Sequence, residues 1–247
     1  MFSNSQITEE TNVFSSLNKY LVGSLLAIAE IFLIQAQFNI SFRFACNLNN
    51  DAILSALGLG NAFIWMVPFS LNLGVNLAIR AYVKRAGQAN DIKAAGMYLQ
   101  KALLVNSAMF IVVVLLSFLC SPMLTSMGVS SEISDFTESY VVKSLPGLFL
   151  LTIADALFGF LASLDHTRAI AVIMTIVLPN HLIFCWIFVS ENNFGLEGVA
   201  YAQNMTALLI AILTSFYCFS CSELNDAWQK PSFALFNDMK HFLKGCV

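Results

Sequence analysis

The sequence predicts an all-α, polytopic membrane protein with six transmembrane helices. Apolar side chains make up 58% of its 247 residues, charged side chains make up only 11%, and the apolar residues are concentrated in six long runs. An average soluble domain has about 25% charged residues, and a single core of this size buries only part of its surface. The composition therefore excludes an ordinary soluble enzyme, a nucleic-acid-binding protein and a disordered chain.

Each of the six runs is close to or longer than the roughly 20 mostly apolar residues that a helix needs to cross a bilayer. The predicted spans are residues 20–42, 52–79, 102–120, 144–164, 169–189 and 198–221. The predicted organisation is a polar amino-terminal segment (1–19), a six-helix lobe (20–221) and a tail (222–247). In the tail, charged residues alternate with aromatic ones, a pattern typical of an amphipathic helix at the membrane surface.

The basic residues predict the orientation. Only Arg43 and Lys143 flank one side of the spans, which leaves ten of the 12 Lys and Arg residues on the other side. Because the richer side faces the cytoplasm, both termini are expected there, in the plasma membrane or an endomembrane. The net charge of −3 gives no indication of a nucleic-acid partner.

Asp155 is the most informative polar residue. It lies near the middle of the predicted fourth span, nine residues after Pro146. An ionisable group inside a span costs a few kcal/mol to insert, so by default it suggests a functional site. Two interpretations stay open: a proton-coupling group in a transport pathway, or a structural acid bonded to a neighbouring helix or facing a water-filled vestibule.

Glu30 and Gln37 form a polar stripe in the first span, because a spacing of seven residues places both on one helical face. Such a stripe either lines a water pathway or ties the helix to its neighbours.

His181 and Asn180 directly follow Pro179 in the fifth span. An imidazole suits a proton relay, and it equally suits a hydrogen bond between helices. Asn61 in the second span and Gln203 in the sixth complete the candidate pathway residues.

No motif for enzymatic chemistry is present: there is no phosphate-binding glycine loop, no H-E-x-x-H pattern and no serine–histidine–acid set. Cys218 and Cys221 form a C-x-x-C pair, but a structural zinc site needs four ligands and no second Cys/His pair is near in sequence. We therefore expect no enzyme, no cofactor and no metal site.

Several stretches together resemble the multidrug and toxic compound extrusion (MATE) family of cation antiporters. They occur in the family's order and at matching spacing from about residue 50 onward: ALGLGNAF at 56–63, SPML at 121–124, Tyr140, LPGL at 145–148, His181, GLEGVAYA at 195–202 and Trp228. One departure is notable, since many prokaryotic members couple cations through a carboxylate in the outer half of helix one. This chain has no Asp or Glu between Ile31 and Asn50.

The resemblance implies one six-helix lobe of a twelve-helix transporter. It further implies export of organic cations or xenobiotics in exchange for H⁺ or Na⁺, with a carboxyl-terminal lobe as partner. Two alternatives stay open. One is a lipid-precursor flippase of the same superfold, whose cavities tend to be arginine-rich. The other is a truncated half-transporter or scaffold that does not transport.

Overall fold

The computed structural model describes residues 4–228, apart from the side chains of residues 4–20, 22, 27 and 30. This part of the chain folds into helices joined by short turns. In chain order they are α1 (Asn4–Cys46), α2 (Asp51–Ile64), a π-helical segment (Trp65–Phe69), α3 (Ser70–Gln88), α4 (Ile92–Ser117), α5 (Cys120–Ser126), α6 (Ser131–Ser163), α7 (Thr167–Cys185), a second π-helical segment (Trp186–Glu191), α8 (Gly195–Ser220) and a 3-10 helix (Ser222–Ala227).

Within the described residues, six helical stretches are long and apolar enough to cross a membrane, which confirms the predicted architecture. They are Gly23–Cys46, Asp51–Gln88, Ile92–Ser117, Ser131–Ser163, Thr167–Glu191 and Gly195–Ser220. Large apolar side chains such as Leu115 and Phe216 cover their outer surface and are 62% and 70% exposed. A lipid-facing surface requires this composition, because lipid offers no hydrogen bonds to polar groups.

The helix ends differ from the ends of the apolar runs. The fourth span was expected to begin at residue 144, but α6 begins at Ser131, after the Ser130 side chain caps the backbone N–H of Ile133. Similarly, α4 begins at Ile92, where the Asp91 carboxylate accepts the N–H of Ala94 at 2.9 Å. Hydropathy detects where a helix meets lipid, whereas the helix itself begins at its cap.

The polar amino-terminal segment is helical from Asn4 and continuous with the first span. At the other terminus, Ser222–Ala227 forms the 3-10 helix. Residues 229–247, over which most of the amphipathic tail was predicted, lie outside the described residues.

Helix α6 is central and packs against α2, α3, α4 and α8. Two apolar cores lie along it. One contains Leu99, Phe160 and Met174 and lies toward the end formed by the α3–α4 and α6–α7 turns. We call this the basic end, because it carries Lys84, Arg85, Lys93 and Arg168. The other core contains Leu57 and Tyr140 and lies toward the opposite end. The polar residues of the spans lie between these cores.

Candidate functional site

Between the two cores lies a cavity of about 280 Å³, lined by residues of α1, α2, the first π-helical segment, α3, α6, α7 and α8. Its walls are mainly aromatic and aliphatic, with Phe38, Trp65, Phe69, Phe158 and Met174 among them. Ligand pockets for drug-sized molecules usually measure about 300–1,000 Å³ and combine such walls with a few polar groups. The cavity is therefore of the size and composition that hold part of an amphipathic molecule.

Five of the seven residues predicted for the transport pathway line this cavity: Gln37, Asn61, Asp155, His181 and Gln203. Asn180 does not line it, and its amide donates to the Ile176 carbonyl of its own helix at 2.8 Å. Glu30 belongs to α1, but its side chain lies outside the part of the chain that is described.

His181 is fully buried and holds α1, α7 and α8 together. Its Nδ1 lies 2.7 Å from the Thr206 hydroxyl, and its Nε2 lies 3.0 Å from the Ser41 hydroxyl and 3.1 Å from the Gln37 carbonyl. Thr206 donates its own proton to the Ala202 carbonyl at 2.7 Å. The Thr206 oxygen must therefore accept from Nδ1, so Nδ1 carries a proton.

This arrangement provides partners for both protonation states of His181. In the neutral ring, Nε2 has a lone pair that accepts from the Ser41 hydroxyl. In the imidazolium, Nε2–H has the Gln37 carbonyl as an acceptor. A histidine with a partner in each state can take up and release a proton without leaving a buried group unpaired.

Asp155 belongs to a ladder of polar contacts between α3 and α6. The Asn76 amide donates to the Asp155 carboxylate, and one turn away the Asn72 amide donates to the Thr152 hydroxyl at 3.2 Å. The other amide atom of Asn76, its Oδ1, is buried and has no hydrogen-bond partner among the described residues. The ladder places the carboxylate at the cavity wall with a free amide oxygen nearby.

Arg80 continues the same face of α3, one turn beyond Asn76, and acts on Asp155 by Coulombic attraction. Its side chain runs past Gly159 of α6: a Cβ built on Gly159 would be in ordinary contact with it, 3.7 Å from Arg80 Cγ and 3.8 Å from Nε. The guanidinium stem thus lies beside α6, one turn from Asp155. The candidate carboxylate therefore has an amide donor, Asn76, and a basic neighbour, Arg80, at a cavity wall that is otherwise mainly apolar.

Tyr140 joins two further cavity residues. Its hydroxyl lies 2.8 Å from the side-chain oxygen of Gln203 and 3.3 Å from that of Asn61. Gly60 leaves space for the buried ring, since an added Cβ would lie only 2.5 Å from Cδ1 of Tyr140. This contact fixes α2, α6 and α8 around the cavity.

Asn204 of α8 bonds to the backbone of α6 next to Pro146. Its amide oxygen accepts the N–H of Gly147 at 2.9 Å, and its amide nitrogen donates to the carbonyl of Lys143 at 2.8 Å. The Asn204 side chain therefore ties the turn of α6 at Pro146 to α8 by two hydrogen bonds.

Sequence reasoning missed five residues of this site: Ser41, Asn76, Thr152, Thr206, and Tyr140 as a polar contact. Asn76 carried a readable signal, because Asn72, Asn76 and Arg80 follow one another at four-residue spacing on one helical face. Hydroxyl groups such as those of Ser41 and Thr206 occur in most spans, so no sequence signal separates the two that contact His181.

Sequence relatives and solved structures agree with this architecture. The chain is 24% identical over 232 residues to Protein DETOXIFICATION 31 of Arabidopsis thaliana, covering 94% of this chain and 41% of that protein. It is 28% identical over 193 residues to Protein DETOXIFICATION 33 of the same plant, covering 77% and 39%. The chain therefore spans well under half the length of these curated relatives.

Among solved structures, the eukaryotic MATE transporter AtDTX14 matches with a TM-score of 0.84 and 19% identity, over 92% of this chain and 51% of that one. A MATE protein in a bent conformation matches with a TM-score of 0.78 and 16% identity, over 92% and 52%. At these identities the likeness concerns the fold, and it places this chain on one half of each transporter.

The family model MatE matches residues 27–187, which is more than half of the chain and includes Asp155, His181 and most of the cavity wall. Together with the six-helix lobe, this match shows that the chain belongs to the MatE family of membrane transporters.

Proposed function

We propose that this chain forms the amino-terminal half of a secondary transporter that exports organic cations or xenobiotics in exchange for H⁺ or Na⁺. The observation that carries the proposal is Asp155, a carboxylate on the wall of a largely apolar, aromatic cavity inside the membrane-spanning region. A carboxylate and aromatic ring faces are the groups that attract an organic cation.

The residues around the cavity support a cationic or neutral cargo over a lipid-linked phosphate. None of the described residues that line the cavity is Lys or Arg. An anionic head group would need such a charge or a helix amino terminus directed at it. The flippase interpretation is therefore disfavoured.

The His181 cluster supports H⁺ as the coupling ion, since the ring has a hydrogen-bond partner in both protonation states. Uptake of a proton there and release of cargo near Asp155 would be coupled through the shared cavity. In transporters built of two lobes, rocking of one lobe against the other exposes such a site alternately on each side. The second lobe would complete the cavity.

The decisive experiment compares Asp155→Asn with Asp135→Asn in the complete transporter, reconstituted into proteoliposomes. Asp135 is an exposed carboxylate on the same helix and bonds Ser121 at 2.8 Å, away from the cavity. We expect Asp155→Asn to abolish efflux driven by a pH or Na⁺ gradient, and Asp135→Asn to preserve it. Normal efflux by Asp155→Asn at normal protein levels would refute the proposal.

Separate pH and Na⁺ gradients identify the coupling ion. The 247-residue chain alone is expected to give no efflux. If it transports alone, the second lobe is not needed and this part of the proposal is wrong.

The proposed orientation, with both termini in the cytoplasm, is testable at Cys46. This thiol is exposed at the end opposite to the basic end, whereas Cys120, Cys185 and Cys218 are buried. A membrane-impermeant maleimide added to intact cells should label the chain, and Cys46→Ser should remove the label. Labelling that persists in Cys46→Ser, or that appears only after permeabilisation, would reverse the orientation.

A further inference from the structure

A group of potential metal ligands lies at the basic end, remote from the cavity. One ligand atom each from His166, Cys221 and Glu223 lies within 4.8 Å of the others. His166 precedes α7 in the turn after α6, whereas Cys221 and Glu223 follow α8. The fold thus brings His166 next to Cys221, the second cysteine of the C-x-x-C pair, from a distant part of the chain.

The spacing of these atoms suits a small divalent cation. Zinc lies about 2.0–2.2 Å from nitrogen and oxygen ligands and about 2.3 Å from sulfur. Two N or O ligands at a tetrahedral angle are therefore roughly 3.4 Å apart, and N and S roughly 3.6 Å apart. The observed distance from His166 Nε2 to the Glu223 carboxylate is 3.5 Å. The other distances between the ligand atoms are at most 4.8 Å. They therefore exceed the ideal distances by only about 1 Å.

The imidazole of His166 is already oriented by its other nitrogen. Nδ1 lies 2.9 Å from the Tyr217 hydroxyl, and the two rings meet edge to face at 5.9 Å. When Nδ1 donates to this hydroxyl, the lone pair of Nε2 points toward Glu223. Metal-binding histidines are typically held in this manner by a hydrogen bond from the non-coordinating nitrogen.

The backbone that carries the other two ligands is also fixed. Leu224 and Ala227 of the 3-10 helix are each 1% exposed, and the Trp228 indole donates to the Cys218 carbonyl at 3.2 Å. On the other side of the site, Asp165 has a φ of 67°, and this left-handed turn brings His166 back against α8. The backbone that carries the ligands therefore needs little ordering when an ion binds.

We propose that His166, Cys221 and Glu223 bind a divalent cation of the zinc class, with water at a fourth position. A thiolate and a carboxylate balance the charge of such an ion, and sulfur with imidazole favours zinc over magnesium or calcium. Glu223 has a side chain that is 77% exposed, which leaves a path for the ion from solvent. Cys218 is fully buried in the apolar core and is not a ligand. The bound ion fastens the start of the segment after α8 to the α6–α7 turn.

The test uses the 247-residue chain, purified in detergent, reduced and freed of metal with a chelator. Cobalt(II) is the probe, since it occupies zinc sites and its thiolate complex has a charge-transfer absorption band. We expect one equivalent to produce this band and zinc to displace it. Cys221→Ser should abolish the band and His166→Ala should abolish the stoichiometric binding. Cys46→Ser and Cys218→Ala should preserve both.

Tyr217→Phe distinguishes an organised site from a chance cluster. Loss of the hydroxyl that orients His166 is expected to weaken zinc binding about 10- to 100-fold, with unchanged helix content by circular dichroism. The proposal is overturned if the unmodified chain gives no thiolate band, if Cys221→Ser keeps the band, or if Cys218→Ala loses it. Failure of this test leaves the transport proposal untouched, because none of these ligands lines the cavity.

Discussion

Replacement of Asn204 by alanine should destabilise the lobe, because this side chain bonds α8 to the backbone of α6 next to Pro146. The substitution removes the bonds to the Gly147 N–H and the Lys143 carbonyl, at 2.9 and 2.8 Å. Side-chain hydrogen bonds between membrane helices contribute about 0.6 to 1.7 kcal/mol each. Two of them give about 1 to 3 kcal/mol, or a roughly 5- to 150-fold smaller folding constant.

The assay is equilibrium unfolding of the purified chain in mixed micelles with rising denaturing detergent, followed by circular dichroism. Asn180→Ala is the matched control, because among the described residues that amide bonds only the Ile176 carbonyl of its own helix. It should change the free energy of unfolding by under about 0.5 kcal/mol. The reasoning is wrong if Asn204→Ala unfolds like the unmodified chain, or if Asn180→Ala is equally destabilised.

A second substitution tests whether the loss of the two Asn204 hydrogen bonds, and not a general loss of packing, lowers the stability. Gly147→Ala places a methyl group against the Asn204 side chain, so it should disrupt the same two bonds. The two substitutions together should then cost less than their sum, since contacting residues are not additive. Strict additivity would indicate that Asn204 and Gly147 act independently.

Two other contacts give separate predictions. Tyr140→Phe removes the hydroxyl that lies 2.8 Å from Gln203, and should lower the free energy of unfolding by about 1 to 2 kcal/mol in the same assay. Gly96→Ala places a methyl group against the Ala227 carbonyl, so the 3-10 helix should detach and limited proteolysis should cut after α8. Unchanged proteolysis in Gly96→Ala would contradict this prediction and show that the 3-10 helix shifts to accommodate the methyl group without detaching.

The number of spans was predictable because it depends on a property of the chain alone, the length of its apolar runs. The ends were not, because α6 extends from residue 144 back to Ser131 through turns that carry Glu132, Asp135 and Glu138. Charged residues end the contact with lipid, yet they do not end a helix. Hydropathy therefore identified the lipid-facing part of α6 but missed more than three helical turns that precede the apolar run.

From the sequence, individual residues of the candidate site were predictable, but their arrangement in space was not. Asp155 and His181 are conspicuous, since ionisable groups are rare in spans. Their partners are not: Asn76 lies 79 positions from Asp155 and Ser41 lies 140 positions from His181. Which hydroxyl or amide faces which ionisable group depends on helix packing, and spacing within one helix does not contain that information. The same limit explains why His166 was not associated with Cys221.

Gln37 shows how the partners of a polar residue decide between a structural and a functional role. The amides of Asn180 and Asn204 are bonded to backbone groups. In contrast, the buried amide nitrogen of Gln37 has no hydrogen-bond partner among the described residues. Gln37 also lines the cavity. An unpaired buried donor lowers stability, so it is expected to have a partner in the cargo. Gln37→Leu should therefore leave the free energy of unfolding unchanged or raise it.

In the complete transporter, Gln37→Leu should raise the apparent KM about 2- to 10-fold, the equivalent of one hydrogen bond. Asn204→Ala should do the reverse, with lower stability and an unchanged KM among the folded molecules. If Gln37→Leu instead destabilises the lobe and leaves KM alone, its amide is a structural group. In that case Gln37 would belong to the structural framework, and Asp155 would be the cavity residue expected to contact the cargo.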